Sequence, residues 1–270
     1  MSRCVRNHLA VLAAALVVGC AATAVRPPSP ATALRPEEFL ATPPPPNERY
    51  YLLLFGSQTT PKLARYTHSW GTVVKATCVP GQARPALEIH TISWMPATLE
   101  IRPLRFQVEP GVNLTLERTL EYVLDNNERV SMWGPYEIWH GMYHRFVTQE
   151  SFLTSGRISY QCIDTVGEAA RCGNGSDCIH AMTDMDPFFD RQEYPLSRFG
   201  EAATAHVVRQ IMTRPIAINP SCPHDWLIGC LGLDHYPIIR RSYRGPVVPF
   251  SPEAVQEYLA AHSSSTGRTR

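Results

Sequence analysis

The order in which strand-like and helix-like segments follow one another constrains the fold of this chain most strongly. Residues 50–57 (YYLLLFGS) form a short apolar run that ends in Gly-Ser, which is typical of a buried strand. Residues 71–79 and 86–95 alternate apolar and polar positions with the period of a strand. Pro80 and Gly81 lie between them and favour a turn, so the two segments are predicted to form a hairpin.

Segments with helical spacing follow in the second half of the chain. Helices are predicted at 114–127 (with Asn113 as the N-cap), 143–154, from about Asp177, at 199–212, 224–231 and 252–261. Short strands are predicted at 104–108 and 158–164, whereas 133–141 contains Gly134-Pro135 and is expected to be irregular. Early strands and late helices are typical of an α+β domain with a small antiparallel sheet packed on helices.

The N-terminal segment is typical of export rather than of folding. It starts with two arginines and no acid, and then carries the apolar run 9–18, which is shorter than the roughly 20 residues that span a bilayer. Residues 17–20 (VVGC) resemble a lipobox, so we expect removal of the signal peptide 1–19 and lipidation of Cys20. The alternative is an ordinary signal peptide that is cut near Ala21.

The segment after Cys20 predicts a tether and a location. Residues 20–47 are rich in proline, alanine and threonine and are expected to form an extended, lipid-anchored linker. Ala21, rather than aspartate, follows the cysteine, which resembles the sorting pattern of outer-membrane lipoproteins in bacteria with two membranes. The predicted location is therefore the cell envelope. Residues 48–262 form the predicted globular domain, and 263–270 form a polar, frayed tail.

The charge of the chain excludes one class of partner. Residues 1–19 contain two of the 25 basic residues, so the mature chain has 25 − 2 = 23 basic residues against 24 acidic ones, a net charge of about −1. A nearly neutral chain without a basic patch is not expected to bind nucleic acid. The expected partners are the membrane, through the lipid on Cys20, and a component of the cell envelope.

Six cysteines remain once Cys4 and Cys20 are set aside. In an exported protein an even number predicts three disulfides, and the short separations favour the pairs Cys162–Cys172 and Cys222–Cys230. The alternative is that Cys178 stays free and is catalytic. Zinc is disfavoured because paired CxxC motifs are absent from the sequence, and no cofactor is predicted.

Two segments carry candidate chemistry. Residues 66–73 (YTHSWGTV) place His68 at the entry to a strand, and residues 174–181 (NGSDCIHA) place Cys178 in the first turn of a helix. A helix N-terminus lowers the pKa of a thiol, and a histidine from a neighbouring strand can act as its general base. His90 lies on the hairpin strand next to that of His68, where it is expected to orient the imidazole.

The chain carries first a histidine on a strand, then a second polar residue on the next strand, and then a cysteine that opens a helix. This order resembles that of the circularly permuted papain-like proteins of the NlpC/P60 superfamily. His68-Ser69-Trp70 and Asp177-Cys178-Ile179-His180 resemble motifs of the lecithin:retinol acyltransferase-like members. Asp177 and Ile179 depart from the asparagine and glutamate of that pattern.

The resemblance implies a papain-like fold with Cys178 as nucleophile, His68 as base and His90 as orienting residue. It also implies an envelope-tethered hydrolase or acyltransferase that acts on an amide or ester bond, in a cell-wall peptide or a lipid ester. The alternatives are a non-catalytic, disulfide-stabilised lipoprotein with a binding or scaffold role, and a disulfide-stabilised protein of unrelated fold. His180 is expected to hydrogen-bond the scaffold because it points away from the thiol.

Overall fold

The structure is a computed structural model that describes residues 44–186, 199–212, 217–218 and 224–244. Its strands are β1 Glu48–Gln58, β2 Thr67–Thr77, β3 Ala86–Ile92, β4 Trp94–Pro96, β5 Gly111–Asn113, β6 Arg129–Ile138, β7 Ser159–Tyr160, β8 Gly175–Ser176 and β9 Ile238–Arg241. Its α-helices are α1 Leu116–Asp125, α2 His140–Thr154, α3 Gly167–Cys172, α4 Cys178–Thr183, α5 Glu201–Met212 and α6 Trp226–Cys230. Two 3-10 turns cover Ala64–Tyr66 and Leu233–His235.

The main sheet has five strands in the order β3-β2-β1-β6-β9. All neighbours are antiparallel except β6 and β9, which are parallel. Two small sheets pair β4 with β5 and β7 with β8. The predicted α+β class with a mainly antiparallel sheet is therefore confirmed, and so is the hairpin of β2 and β3.

Both faces of this sheet are buried. The face that carries Leu54 and Val73, here called face A, packs against residues of α2, α4 and α5 in one apolar core. The opposite face, here called face B, carries Phe55 and Trp70 and packs against residues of α1 and α6 in a second core. Successive residues of a strand point to opposite faces, so the position of a side chain along β2 decides which core it enters.

The residues predicted to be irregular form most of a central strand, because a bulge accommodates the two unfavourable residues. Leu52 pairs with Tyr136 and Leu54 pairs with Trp133, so one intervening residue on β1 faces Gly134 and Pro135 on β6. Gly134 has a φ of +97°, which glycine tolerates, and a proline at a bulge removes no ladder hydrogen bond.

The first helix begins later than predicted. Thr115, not Asn113, is the N-cap of α1, and its hydroxyl accepts a hydrogen bond from the backbone N–H of Arg118 at 3.3 Å. The Asn113 amide instead accepts from the backbone N–H of Ser93 at 2.8 Å and donates to the carbonyl of Thr91 at 2.7 Å. This side chain therefore joins β5 to the segment that links β3 and β4.

Other predicted elements differ in part from the structure. The segment 104–108 is not a strand, α3 and β9 were not predicted, and β2 begins at Thr67, four residues earlier than expected. The predicted helix 252–261 lies outside the described residues. None of the described helices is long and apolar enough to cross a membrane.

Candidate functional site

Cys178 is the first residue of α4, on face A of the sheet. Asp177 is the N-cap, and its carboxylate accepts a hydrogen bond from the backbone N–H of His180 at 2.7 Å. The helix lies close to β2 because Gly71 has no side chain: a Cβ there would lie 3.2 Å from the sulfur of Met182. The prediction that a helix opens at this cysteine is confirmed.

His68 lies on the other face. Its ring stacks on Trp70, with centroids 5.4 Å apart and planes 15° apart, and Trp70 belongs to the face B core. The β1–β2 register runs from Thr67 to Thr77 without a bulge, so no irregularity turns His68 towards face A. Cys178, by contrast, packs against the face A core.

The predicted pairing of Cys178 with His68 is therefore wrong. The Nε2 atom of His68 is 2.9 Å from the hydroxyl oxygen of Ser93, and Nδ1 has no hydrogen-bond partner among the described residues. The ring is 1 % exposed, and burial lowers its pKa to about 3. An imidazole that is neutral, buried and on the far side of the sheet cannot take the thiol proton.

The predicted orienting residue is also misplaced. His90 pairs with Val73, five positions along β2 from His68, which is a separation of about 16 Å along the strand. Its Nδ1 lies 2.7 Å from a carboxylate oxygen of Glu150, and its Nε2 lies 3.1 Å from one of Glu88. His90 thus belongs to a polar cluster between β3 and α2 and does not touch His68.

Two residues of β2 lie beside Cys178, one through its side chain and one through its backbone. Thr67 lines the same cavity as the thiol, and the backbone N–H of Ser69 donates to the sulfur. Asp177 lines the cavity too, but its two oxygens already accept from the backbone N–H of His180 at 2.7 Å and contact the His180 ring at 3.0 Å. None of these three groups is placed to act as the general base of a papain-like site.

The protonation of the thiol follows from these surroundings. Burial, then the charge of Asp177, then the neighbouring Cys162 raise the pKa of Cys178 well above its usual value, and the Ser69 N–H only partly opposes them. Burial likewise raises the pKa of Cys162 to about 12. Both side chains are therefore neutral thiols at pH 7, and the thiolate is the nucleophilic form.

The cavity beside Cys178 has a volume of about 180 Å³ and is partly open to the surface. Its wall is mainly apolar and includes Ile101, Pro103, Ile163, Ile179 and Phe199. Cys162 and Tyr160 line the same space. A cavity with a mainly apolar wall favours an apolar occupant.

A buried ionic triad lies behind the cavity. The Nδ1 atom of His180 is 2.7 Å from Asp164 and 3.0 Å from Asp177, and all three residues are buried. Burial disfavours the imidazolium, but the charges of Asp177 and Asp164 outweigh it and raise the pKa of His180 to about 10. The predicted scaffold role of His180 is confirmed, since its ring joins α4 to the segment after β7.

Asp164, Asp177 and His180 also form the one group of three potential metal ligands found in the described part of the chain. Their ligand atoms lie within 4.8 Å of one another. However, Nδ1 already carries a proton shared between the two carboxylates, so a cation would have to displace it. The three side chains are therefore explained as an internal ion pair and not as a metal site.

Tyr160 and Cys162 were not predicted as site residues, and Asp164 was not predicted as a partner of His180. A strand was predicted over 158–164, but without a partner strand. The partner of that strand is the segment Gly175–Ser176, and this parallel pairing leaves no local signal in the sequence.

The structure does not contain the predicted disulfide between Cys162 and Cys172. Cys162, Cys172, Cys178 and Cys230 are all free thiols here, with Cys172 and Cys230 exposed and Cys162 facing the cavity. Cys222 lies outside the described residues, so the pair Cys222–Cys230 stays a prediction.

The fold and site together define an α+β protein with a thiol-lined apolar cavity. Comparisons of the chain with protein-family models, with curated proteins and with solved structures found no match.

Proposed function

We propose that this chain is a non-catalytic binding domain, tethered in the cell envelope, whose cavity beside Cys178 holds an apolar group. The observation that carries this proposal is that His68 and Cys178 lie on opposite faces of one sheet. A nucleophilic thiol needs an adjacent base, and none of the described groups that line the cavity beside this thiol is placed to act as one.

The fold proposed for the domain is permuted papain-like. The order of elements supports it: β2 carries the histidine, β3 is its hairpin partner, and α4 opens at Cys178 and packs on the sheet. The proposal is thus a papain-like scaffold in which the catalytic pair is not assembled. Function rests on the site and not on the scaffold.

The tether is proposed from the sequence. The apolar run that ends in Val17-Val18-Gly19-Cys20 supports lipidation of Cys20, and the Pro-rich residues 20–47 would separate the domain from the lipid. Several acyl chains on one cysteine give stable anchoring. In a host with two membranes, the proposed site is the outer membrane.

The size of the cavity sets the class of ligand. An apolar cavity of about 150 Å³ is large enough to hold benzene, and the one beside Cys178 is about 180 Å³. It therefore suits a single ring or the end of a short branched acyl chain. Such groups occur in apolar peptide side chains and in lipids of the envelope.

Toluene is a suitable probe of this cavity. At about ten times its dissociation constant, a ligand of the native state adds roughly 1.4 kcal/mol of stability, and we expect toluene to raise Tm by a few degrees. Ile163→Trp, which fills the cavity, should abolish the increase. Ile89→Trp is the matched control, because Ile89 is exposed and does not line this cavity, and it should respond like the wild type. An equal increase in all three proteins would rule out binding in this cavity.

A second candidate is the hydrolase or acyltransferase that the motifs suggest. One observation favours it: the backbone N–H groups of Ser69 and Cys178 both donate to the sulfur, which opposes part of the rise in its pKa. The two candidates differ in one observable. Catalysis requires a Cys178 thiolate at neutral pH that depends on His68, whereas a binding domain requires neither.

A further inference from the structure

The register of the small parallel sheet brings two cysteines together. Tyr160 pairs with Ser176, an offset of 176 − 160 = 16 residues. The backbone N–H of Gln161 donates to the carbonyl of Ser176 at 3.1 Å and completes this last pair of the ladder. Cys162 and Cys178 have the same offset, 178 − 162 = 16, and each lies two residues beyond the last pair of the ladder.

The spacing of such a pair suits a covalent bond. Neighbouring strands lie about 4.8 Å apart, and a disulfide needs Cα atoms roughly 4.4–6.8 Å apart. Asp177 still has extended backbone angles, φ −86° and ψ 175°, so the strand geometry reaches the start of α4. The side chains of Cys162 and Cys178 line the same cavity and pack against the same core.

The other described cysteines are placed differently. Cys78, Cys172 and Cys230 are exposed, and none of them lines this cavity. Cys172 ends α3, where its backbone leaves the helix through Gly173 in a left-handed conformation. Cys162 and Cys178 are thus the two partly buried thiols of the described residues, and they share one wall.

We propose that Cys162 and Cys178 form a disulfide bond when the chain folds in an oxidising compartment. The inference rests on the β7–β8 register together with the cavity wall and core that the two thiols share, and it is independent of the proposed binding function. The bond links the segment after β7 to the first residue of α4. It also makes Cys178 unavailable as a nucleophile.

The oxidation proceeds by thiol–disulfide exchange with a small external disulfide such as oxidised glutathione. The Cys162 thiolate attacks one sulfur of that disulfide, forms a mixed disulfide and releases the first small thiolate. The Cys178 thiolate then attacks the Cys162 sulfur and releases the second. The two protein protons end on the two released thiols, so the cysteine pair is oxidised and the external disulfide is reduced.

Burial determines when this exchange is fast. In the folded protein the pKa of Cys162 is about 12, so the attacking thiolate is scarce at pH 7. In the unfolded chain both thiols have ordinary pKa values and react readily. The bond should therefore form during folding, and the reduced folded protein should oxidise faster as the pH rises.

A peptide map of the protein folded in the presence of oxidised glutathione tests the proposal. The protein is denatured, alkylated without reduction and digested. Trypsin cleaves after Arg171 and separates Cys162 from Cys178, and cleavage before Asp177 separates Cys178 from Cys172. We expect the Cys162 and Cys178 peptides to be joined, with two hydrogens fewer than their summed mass, and to separate on reduction.

The same peptide map, a control variant and a melting measurement decide whether the assignment is correct. Alkylation of both cysteines, or a bridge from either of them to another cysteine, would overturn it. Cys172→Ser is the matched control and should leave the joined peptides unchanged. The oxidised wild type should melt roughly 5–10 °C above the reduced protein, and an identical Tm in both states would also contradict the proposed bond.

Discussion

Replacing His180 with glutamine is expected to destabilise the protein by about 3–5 kcal/mol at pH 6, because it removes the cation from a buried ion pair. The ring lies between Asp164 and Asp177, both of which are less than 10 % exposed. Glutamine can keep one hydrogen bond, but it leaves two carboxylates in the interior without the charge that compensates them. Urea unfolding at pH 6 measures the loss.

The same substitution should change how stability depends on pH. The folded pKa of His180, about 10, is above its ordinary value of 6.5. The imidazolium therefore contributes its full stability below about pH 6.5, and this contribution falls as the pH rises through 10. The difference between the wild type and His180→Gln should shrink over that interval. A difference that stays constant from pH 6 to pH 10 would contradict a charged His180.

A surface histidine provides the control for this series. His235 has a side chain that is 83 % exposed, so His235→Gln should change stability by less than about 0.5 kcal/mol. Comparing the two variants separates the buried triad from general effects of alkaline pH on the other ionisable groups.

Replacing Trp70 with alanine is expected to cost about 3–5 kcal/mol, which is the usual loss when a buried tryptophan is truncated. Its ring is fully buried, stacks on Phe55 with centroids 5.1 Å apart and planes 3° apart, and stacks on His68 on the same face. Alanine would leave a cavity between the sheet and α1. The midpoint of urea unfolding should fall accordingly.

A second tryptophan shows whether burial is the cause. Trp226 is 41 % exposed, so Trp226→Ala should cost clearly less than Trp70→Ala. A loss below about 1 kcal/mol for Trp70→Ala would contradict the face B core described above. The expected result assigns the His68-Ser69-Trp70 motif to packing and not to chemistry.

Hydrophobic periodicity and turn residues predicted three features correctly: the hairpin, the helix that opens at Cys178 and the α+β class. They did not predict which face of the sheet carries His68. Strand β2 is buried on both sides, with Val73 in one core and Val74 in the other, so its sequence carries no polar face to indicate which side meets α4. Only the packing of α4 over Gly71 decides that.

The prediction that His90 lies beside His68 was wrong for a different reason. Register between β2 and β3 depends on the length and geometry of the connection, and residues 78–85 allow more than one turn. The structure pairs His90 with Val73, and His68 lies beyond the end of the paired region. The buried ion pair of Asp164 and His180 could not be predicted because it joins two segments whose parallel pairing leaves no local signal.

The central claim is that the reactivity of Cys178 does not depend on His68. The measurement that tests it most directly is the rate at which iodoacetamide alkylates Cys178 in fully reduced, folded protein between pH 6 and pH 10, in the wild type and in His68→Ala. We expect slow alkylation at pH 7, a rate that keeps rising towards pH 10, and the same profile in both proteins. A rate that reaches a plateau near neutral pH in the wild type and falls in His68→Ala would contradict the account, because it would mean that the imidazole ionises the thiol.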